Sequence, residues 1–142
     1  MGKLSLILVF CIFSLTGCAS LKEDFRKFLG VSTRPVEAAR PLAIKETFKC
    51  DYITCYNQTL EALKDIHAYI YRKDKKNNLI AVYVSEEDTT PVGIFFKEID
   101  ANNTQIEVAS PSSPVKEHVA TRLFSKLVMN LNPVKPEEGL KK

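Results

Sequence analysis

The chain has no tryptophan, only two histidines, five glycines and a single long apolar run in 142 residues. Each scarcity removes a class of protein. Five glycines cannot build a collagen-like repeat. The one apolar run spans residues 4–15, whereas a bilayer-spanning helix needs about 20 such residues, so a polytopic membrane protein is excluded. Neither sign of charge dominates. Twenty Lys and Arg face 17 Asp and Glu, a formal +3, too small a balance to imply nucleic acid. Motifs of catalysis are missing as well: there is no G-x-S-x-G, H-E-x-x-H, P-loop or G-x-G-x-x-G. Glu117 and His118 are adjacent on an expected helix, where neighbours point apart. Paired carboxylates occur only in Glu86-Glu87-Asp88, a turn that cannot fix the separation a glycosidase needs. The sequence therefore points away from an enzyme and implies no cofactor and no metal. What remains, at 45% hydrophobic and 26% charged, is one ordinary globular domain.

Its most specific segment is the first. Lys3 precedes the apolar run, and Leu15-Thr16-Gly17-Cys18 follows it. That order of an aliphatic residue, two small residues and a cysteine resembles a bacterial lipobox. The resemblance implies a signal peptide over residues 1–17, cleavage before Cys18, and a lipid on the Cys18 thiol. An ordinary secretory signal with an incidental cysteine is the alternative. Acyl chains anchor firmly, since each buried methylene contributes about 0.8 kcal/mol. Ala19 and Ser20 follow, and neither is Asp. By likeness to lipoprotein sorting, this implies the outer membrane, with the domain facing the periplasm. Export also argues against a nucleic-acid partner.

Cys11 leaves with the signal and Cys18 is used for lipid, so Cys50 and Cys55 form an even pair in an oxidising compartment. Three readings stay open. A disulfide can staple the end of a strand to the first turn of a helix, two reduced thiols can lie half-buried, or the pair can join His67 and His118 around zinc. The spacing is wider than the C-x2-C of most zinc sites.

Periodicity supplies the elements. Leu21, Phe25, Phe28 and Leu29, with Lys22, Arg26 and Lys27 between them, predict a short basic amphipathic helix. Such a helix suits an anionic lipid surface, a fold-back onto the domain, or a simple tether. Residues 31–41, with Pro35 and Pro41, read as a linker with one helical turn at most. The anchor, helix and linker thus occupy residues 18–42. Alternation over 43–50 predicts a strand. Asp51 is a natural N-cap, and Ile53, Tyr56, Leu60, Leu63 and Ile66 step at helical spacing. His67 falls near that helix's C-terminus, where the dipole favours a cation. Strands follow over 68–72, 79–85, 92–99 and 104–110, joined by connections short enough to force antiparallel neighbours. Ser113 as cap and Pro114 open a last helix whose buried stripe is Ala120, Phe124, Leu127 and Leu131. The domain so defined spans residues 43–131, and residues 132–142 read as a mobile tail. The order β-α-β-β-β-β-α predicts an α+β fold, a two-layer sandwich with an antiparallel sheet and both helices on one face.

Strand parity sorts the sheet. Ile70, Ile80, Val82, Val84, Val92, Ile94, Phe96, Ile106 and Val108 should lie under the helices. The opposite parity carries Tyr69, Tyr71, Tyr83 and Phe95 beside Lys97, Gln105 and Glu107. Four aromatics on one face suggest a partner surface. Ordinary strand tyrosines, or cover from residues 21–41, account for them as well. The basic run over 72–76 and the acidic turn 86–88 read as solvated hairpin tips.

The blocks Phe48-Lys49-Cys50-Asp51-Tyr52, Ile80-Ala81-Val82-Tyr83-Val84-Ser85, Thr90-Pro91-Val92-Gly93-Ile94-Phe95-Phe96 and Thr104-Gln105-Ile106-Glu107-Val108 resemble a family of small bacterial lipoproteins of unknown function. In topology alone, a curved antiparallel sheet gripping a long C-terminal helix is similar to the domains of BamC-type outer-membrane assembly lipoproteins, with no shared motif. The resemblance carries no site residue with it. The functional expectation is a non-catalytic envelope lipoprotein, held to the membrane by its N-terminal lipid. It would be an accessory or adaptor for an envelope protein partner. The alternative is a periplasm-facing binder of a small lipid or glycan, and a hydrolase acting on the cell wall or on lipid is a distant third.

Overall fold

The computed structural model describes residues 31–132. The proposed lipid site Cys18, the basic helix and the tail expected after residue 132 lie outside the described residues. Every element below belongs to one compact unit that begins at Thr33. The elements are α1 (Arg34–Ala39), a 3-10 turn (Arg40–Leu42), β1 (Ile44–Phe48), α2 (Tyr52–Asp65), β2 (Tyr69–Asp74), β3 (Leu79–Tyr83), β4 (Pro91–Asp100), β5 (Asn103–Ala109) and α3 (Ser113–Leu131). The five strands form one antiparallel sheet in the order β1-β5-β4-β3-β2. This is the α+β architecture expected from the sequence.

Helix α2 forms where its caps are strongest. Asp51 accepts hydrogen bonds from the Thr54 amide (3.0 Å) and the Thr54 hydroxyl (2.6 Å), satisfying an orphan donor of the first turn. These bonds hold the Asp51 carboxyl below its ordinary range. At the other end His67 adopts a left-handed backbone, φ 60°. The His67 amide donates to the Lys64 carbonyl and the Ala68 amide to the Leu63 carbonyl, the bond pair of a Schellman stop. The buried stripe is Cys55, Tyr56, Thr59, Ala62 and Leu63. Ile53, expected on that stripe, is instead 69% exposed, because it sits in the first turn on the solvent side. For α3 the N-cap is Ser112 rather than Ser113, which places Pro114 one position further into the first turn.

The main core lies between α2, α3 and one sheet face. Ile80, Val82, Val92, Ile94, Phe96, Ile106 and Val108 are all buried in it, with Ile70 and Val84 at its edge. Strand parity read from the sequence gives this whole set. β3 is buried along nearly its full length, because its second face is covered too. There a smaller cluster gathers Val36, Leu79, Ala81, Phe95 and Ala109. Where a linker is expected, α1 and the 3-10 turn fold onto the sheet. Pro35 and Pro41 open them, at positions whose amides need no helical partner.

Candidate functional site

The second sheet face divides into two parts. The first is a strap. Ala109, Gly93 and Ala81 are direct neighbours across β5, β4 and β3, so this row of the sheet has almost no side chain. Val36 of α1 fills the trough and is fully buried. The adjacent row runs Lys45, Glu107, Phe95, Leu79 across four strands. Arg40 lies over it. Its guanidinium stands 4.4 Å from the Phe95 ring centroid, and its Nε donates to Glu107 Oε2 at 2.7 Å. Lys45 Nζ adds a second contact at 3.5 Å. Burial pushes the Glu107 carboxyl up, but the Arg40 hydrogen bond and the Arg40 and Lys45 charges outweigh it and hold the group below its ordinary range. A carboxylate this deep is stable only while so paired.

The second part is a ladder of tyrosines beyond the strap. Tyr69 and Tyr83 are cross-strand partners on β2 and β3, with rings stacked at 6.2 Å and 10°. Tyr71 also stacks on Tyr83, at 4.4 Å and 29°. A register shift between Ile70 and Arg72 makes Tyr71 the extra residue of β2. Such a bulge twists an edge strand and re-aims its side chains. Here it leans Tyr71 against the small cluster. Tyr69 is 48% exposed, and Tyr71 and Tyr83 are half-buried. The Tyr71 hydroxyl is closed off with no hydrogen-bond partner. Burial, and next the neighbouring Tyr83, push its pKa up.

Of the four aromatics predicted to share an exposed face, the structure keeps three together. Phe95 is only 2% exposed, because Arg40 covers its ring, so it belongs to the strap's seat rather than to a surface. Sequence pattern missed the strap. Thr33, which bonds the Glu37 side chain, followed by Arg34 and Pro35, was its available signal.

The remaining candidates fall elsewhere. Cys50 and Cys55 form a disulfide with a Cα–Cα distance of 5.6 Å. The Thr104 hydroxyl donates to the Cys50 carbonyl at 3.0 Å, so strand β5 braces the bridge. With both thiols so used, the zinc reading loses its ligands. His67 caps α2, whose Asp65 meets Lys126 at 3.6 Å, and on α3 that residue lies about 12 Å along the axis from His118. Among the described residues no group of three or more His, Cys, Asp or Glu could hold a metal ion. The acidic turn is consumed locally. Ser85 Oγ accepts from the Glu87 and Asp88 amides, and Asp88 accepts from the Thr90 amide and hydroxyl. In the basic turn, Arg72 pairs with Asp74 at 3.2 Å. Among the described residues, no helix is long and apolar enough to cross a membrane.

The stacked phenol rings of Tyr69, Tyr83 and Tyr71 thus make up this edge of the sheet. The chain matches no family model and no curated protein.

Proposed function

We propose that the protein is a non-catalytic lipoprotein of the bacterial envelope, anchored through Cys18, that docks onto an envelope protein with the tyrosines of β2 and β3. The observation that carries the reading is the ladder Tyr69–Tyr83–Tyr71, three stacked rings on an edge of the sheet. Tyrosine supplies a large, rigid contact area at low entropic cost, and it is enriched among residues that dominate interface energy. The lipobox-like Leu15-Thr16-Gly17-Cys18 supports the address, with the outer membrane's periplasmic side as the favoured surface. The disulfide suits an oxidising compartment.

A small ligand held between sheet and helices has less support. That space is filled by the side chains of the main core, and a sugar or lipid would have to use the tyrosine surface instead. The test is recovery of crosslinked partners from living cells with Tyr69→Ser and Tyr83→Ser combined. Loss of one enriched envelope protein, with the domain still folded and Cys18→Ala also losing it, supports docking. Unchanged recovery refutes it.

A further inference from the structure

β1 is an edge strand, and among the described residues no strand pairs with its outer side. α3 lies beside it, and an open groove of about 660 Å³ runs between them. Ile44, Ala120 and Phe124 line it, with Val128 and Met129 towards the C-terminal end of α3 and Glu117 towards its start. Val128 is 46% and Met129 65% exposed, unusual for large apolar side chains standing together. Glu46 rises from β1 into the same groove. Neither the Glu46 nor the Glu117 side chain has an ion pair or hydrogen-bond partner among the described residues. The nearby lysines of α3 do not neutralise them. Lys116 donates to the Leu42 carbonyl at 2.7 Å, and Lys126 meets Asp65.

Glu117 and Met129 are separated by about 18 Å along the helix axis, the length of about five strand residues, and β1 is a five-residue strand. Ile44 and Glu46 lie two apart and share a face. An added strand would therefore set an apolar side chain beside one and a basic side chain beside the other. The geometry points to a docking site for a cationic, extended segment of another protein, which pairs with the free edge of β1 and lays apolar and basic residues, two apart, into the groove.

Strand addition supplies affinity through main-chain hydrogen bonds and specificity through the alternate side chains. The charge pattern weighs against a second copy and against the C-terminal tail. A second copy pairing β1 to β1 about its centre would set Glu46 against Glu46, and like charges directly opposite are unfavourable. Residues 133–142 carry three lysines against two glutamates, with two prolines and a glycine, a poor match in both charge and strand propensity.

The experiment uses the full chain in neutral detergent. The probe is a short fluorescent peptide repeating leucine-serine-lysine-serine, with a counterpart in which glutamate replaces lysine. Anisotropy reads binding, and hydrogen exchange reads protection. The basic peptide is expected to bind and to protect the amides of Ile44–Phe48. Glu46→Lys with Glu117→Lys should weaken it by at least about tenfold, equivalent to about 1.4 kcal/mol. Both glutamates are exposed, so an unchanged melting temperature confirms that the variant is folded. Equal binding of the acidic peptide, no effect of charge reversal, or protection confined to β2 would overturn the inference. So would a doubled mass with β1 protected in the absence of peptide, which assigns the edge to a second copy. Protection of β1 without peptide that vanishes on deleting residues 133–142 would assign it to the chain's own tail.

Discussion

Replacing Gly93 by alanine probes the strap without substituting any charged or aromatic residue. A Cβ there would stand 2.9 Å from Val36 Cβ, 2.9 Å from Phe95 Cε2 and 3.0 Å from Val36 Cγ2. Carbon atoms in contact prefer about 3.5–4.0 Å. The Val36 Cβ is fixed to the backbone of α1, so the helix itself must rise, or the Phe95 ring must swing against Arg40. Overpacking of this kind costs about 1–3 kcal/mol. Alanine in a strand interior recovers about 0.5–1 kcal/mol of the entropy that glycine loses. The net expectation is a destabilisation of up to about 2.5 kcal/mol, concentrated in the strap. Hydrogen exchange should show faster exchange over residues 34–43 than over α2, with a lower urea midpoint. Gly93→Val should displace Val36 outright, forfeiting the roughly 1.5–3 kcal/mol of a buried valine side chain. Unchanged protection of residues 34–43, or a higher midpoint, would refute the argument that a side-chain-free trough seats this helix.

Three further outcomes follow from the same geometry. Arg40→Ala leaves Glu107 buried with Lys45 alone and should cost about 1–3 kcal/mol at neutral pH. In the parent protein the Glu107 carboxyl is lowered, so its contribution is complete above the unfolded value of about 4.3 and is lost as pH falls through the folded value. The gap between parent and variant in urea midpoint should therefore narrow on acidification. His67→Gly relieves a left-handed backbone and should raise stability by up to about 1 kcal/mol, read as a higher melting temperature. Reducing the Cys50–Cys55 bridge opens a loop of sequence separation 5, and the chain-entropy model assigns it about 2 kcal/mol. A reductant should lower the urea midpoint of the parent and leave a Cys50→Ala, Cys55→Ala variant unmoved.

The main core was legible because its signal has a short period. Ile80, Val82, Ile94, Phe96, Ile106 and Val108 alternate in strands whose short connections leave only antiparallel pairing. Tyr69 and Tyr83 were legible for the same reason, being in register on neighbouring strands. Two things were hidden. Phe95 shares parity with the tyrosines, and nothing in its own strand shows that a segment more than 50 residues earlier covers it. The strap is six helical residues and a single 3-10 turn, too short for a hydrophobic period to emerge. Its stability is tertiary, from Val36 on Gly93 and Arg40 on Phe95 and Glu107. The edge groove was hidden too, since Glu46 and Glu117 come together only when α3 is laid along β1.

The docking claim is tested most directly by a photo-crosslinking residue placed at Tyr69 in living cells, with a second placement at the exposed Glu61 of α2 as comparison. A discrete adduct to one envelope protein is expected from position 69, lost with Tyr83→Ser and absent from position 61. The same adducts from both positions, or none from position 69 in a folded and lipidated protein, would contradict it.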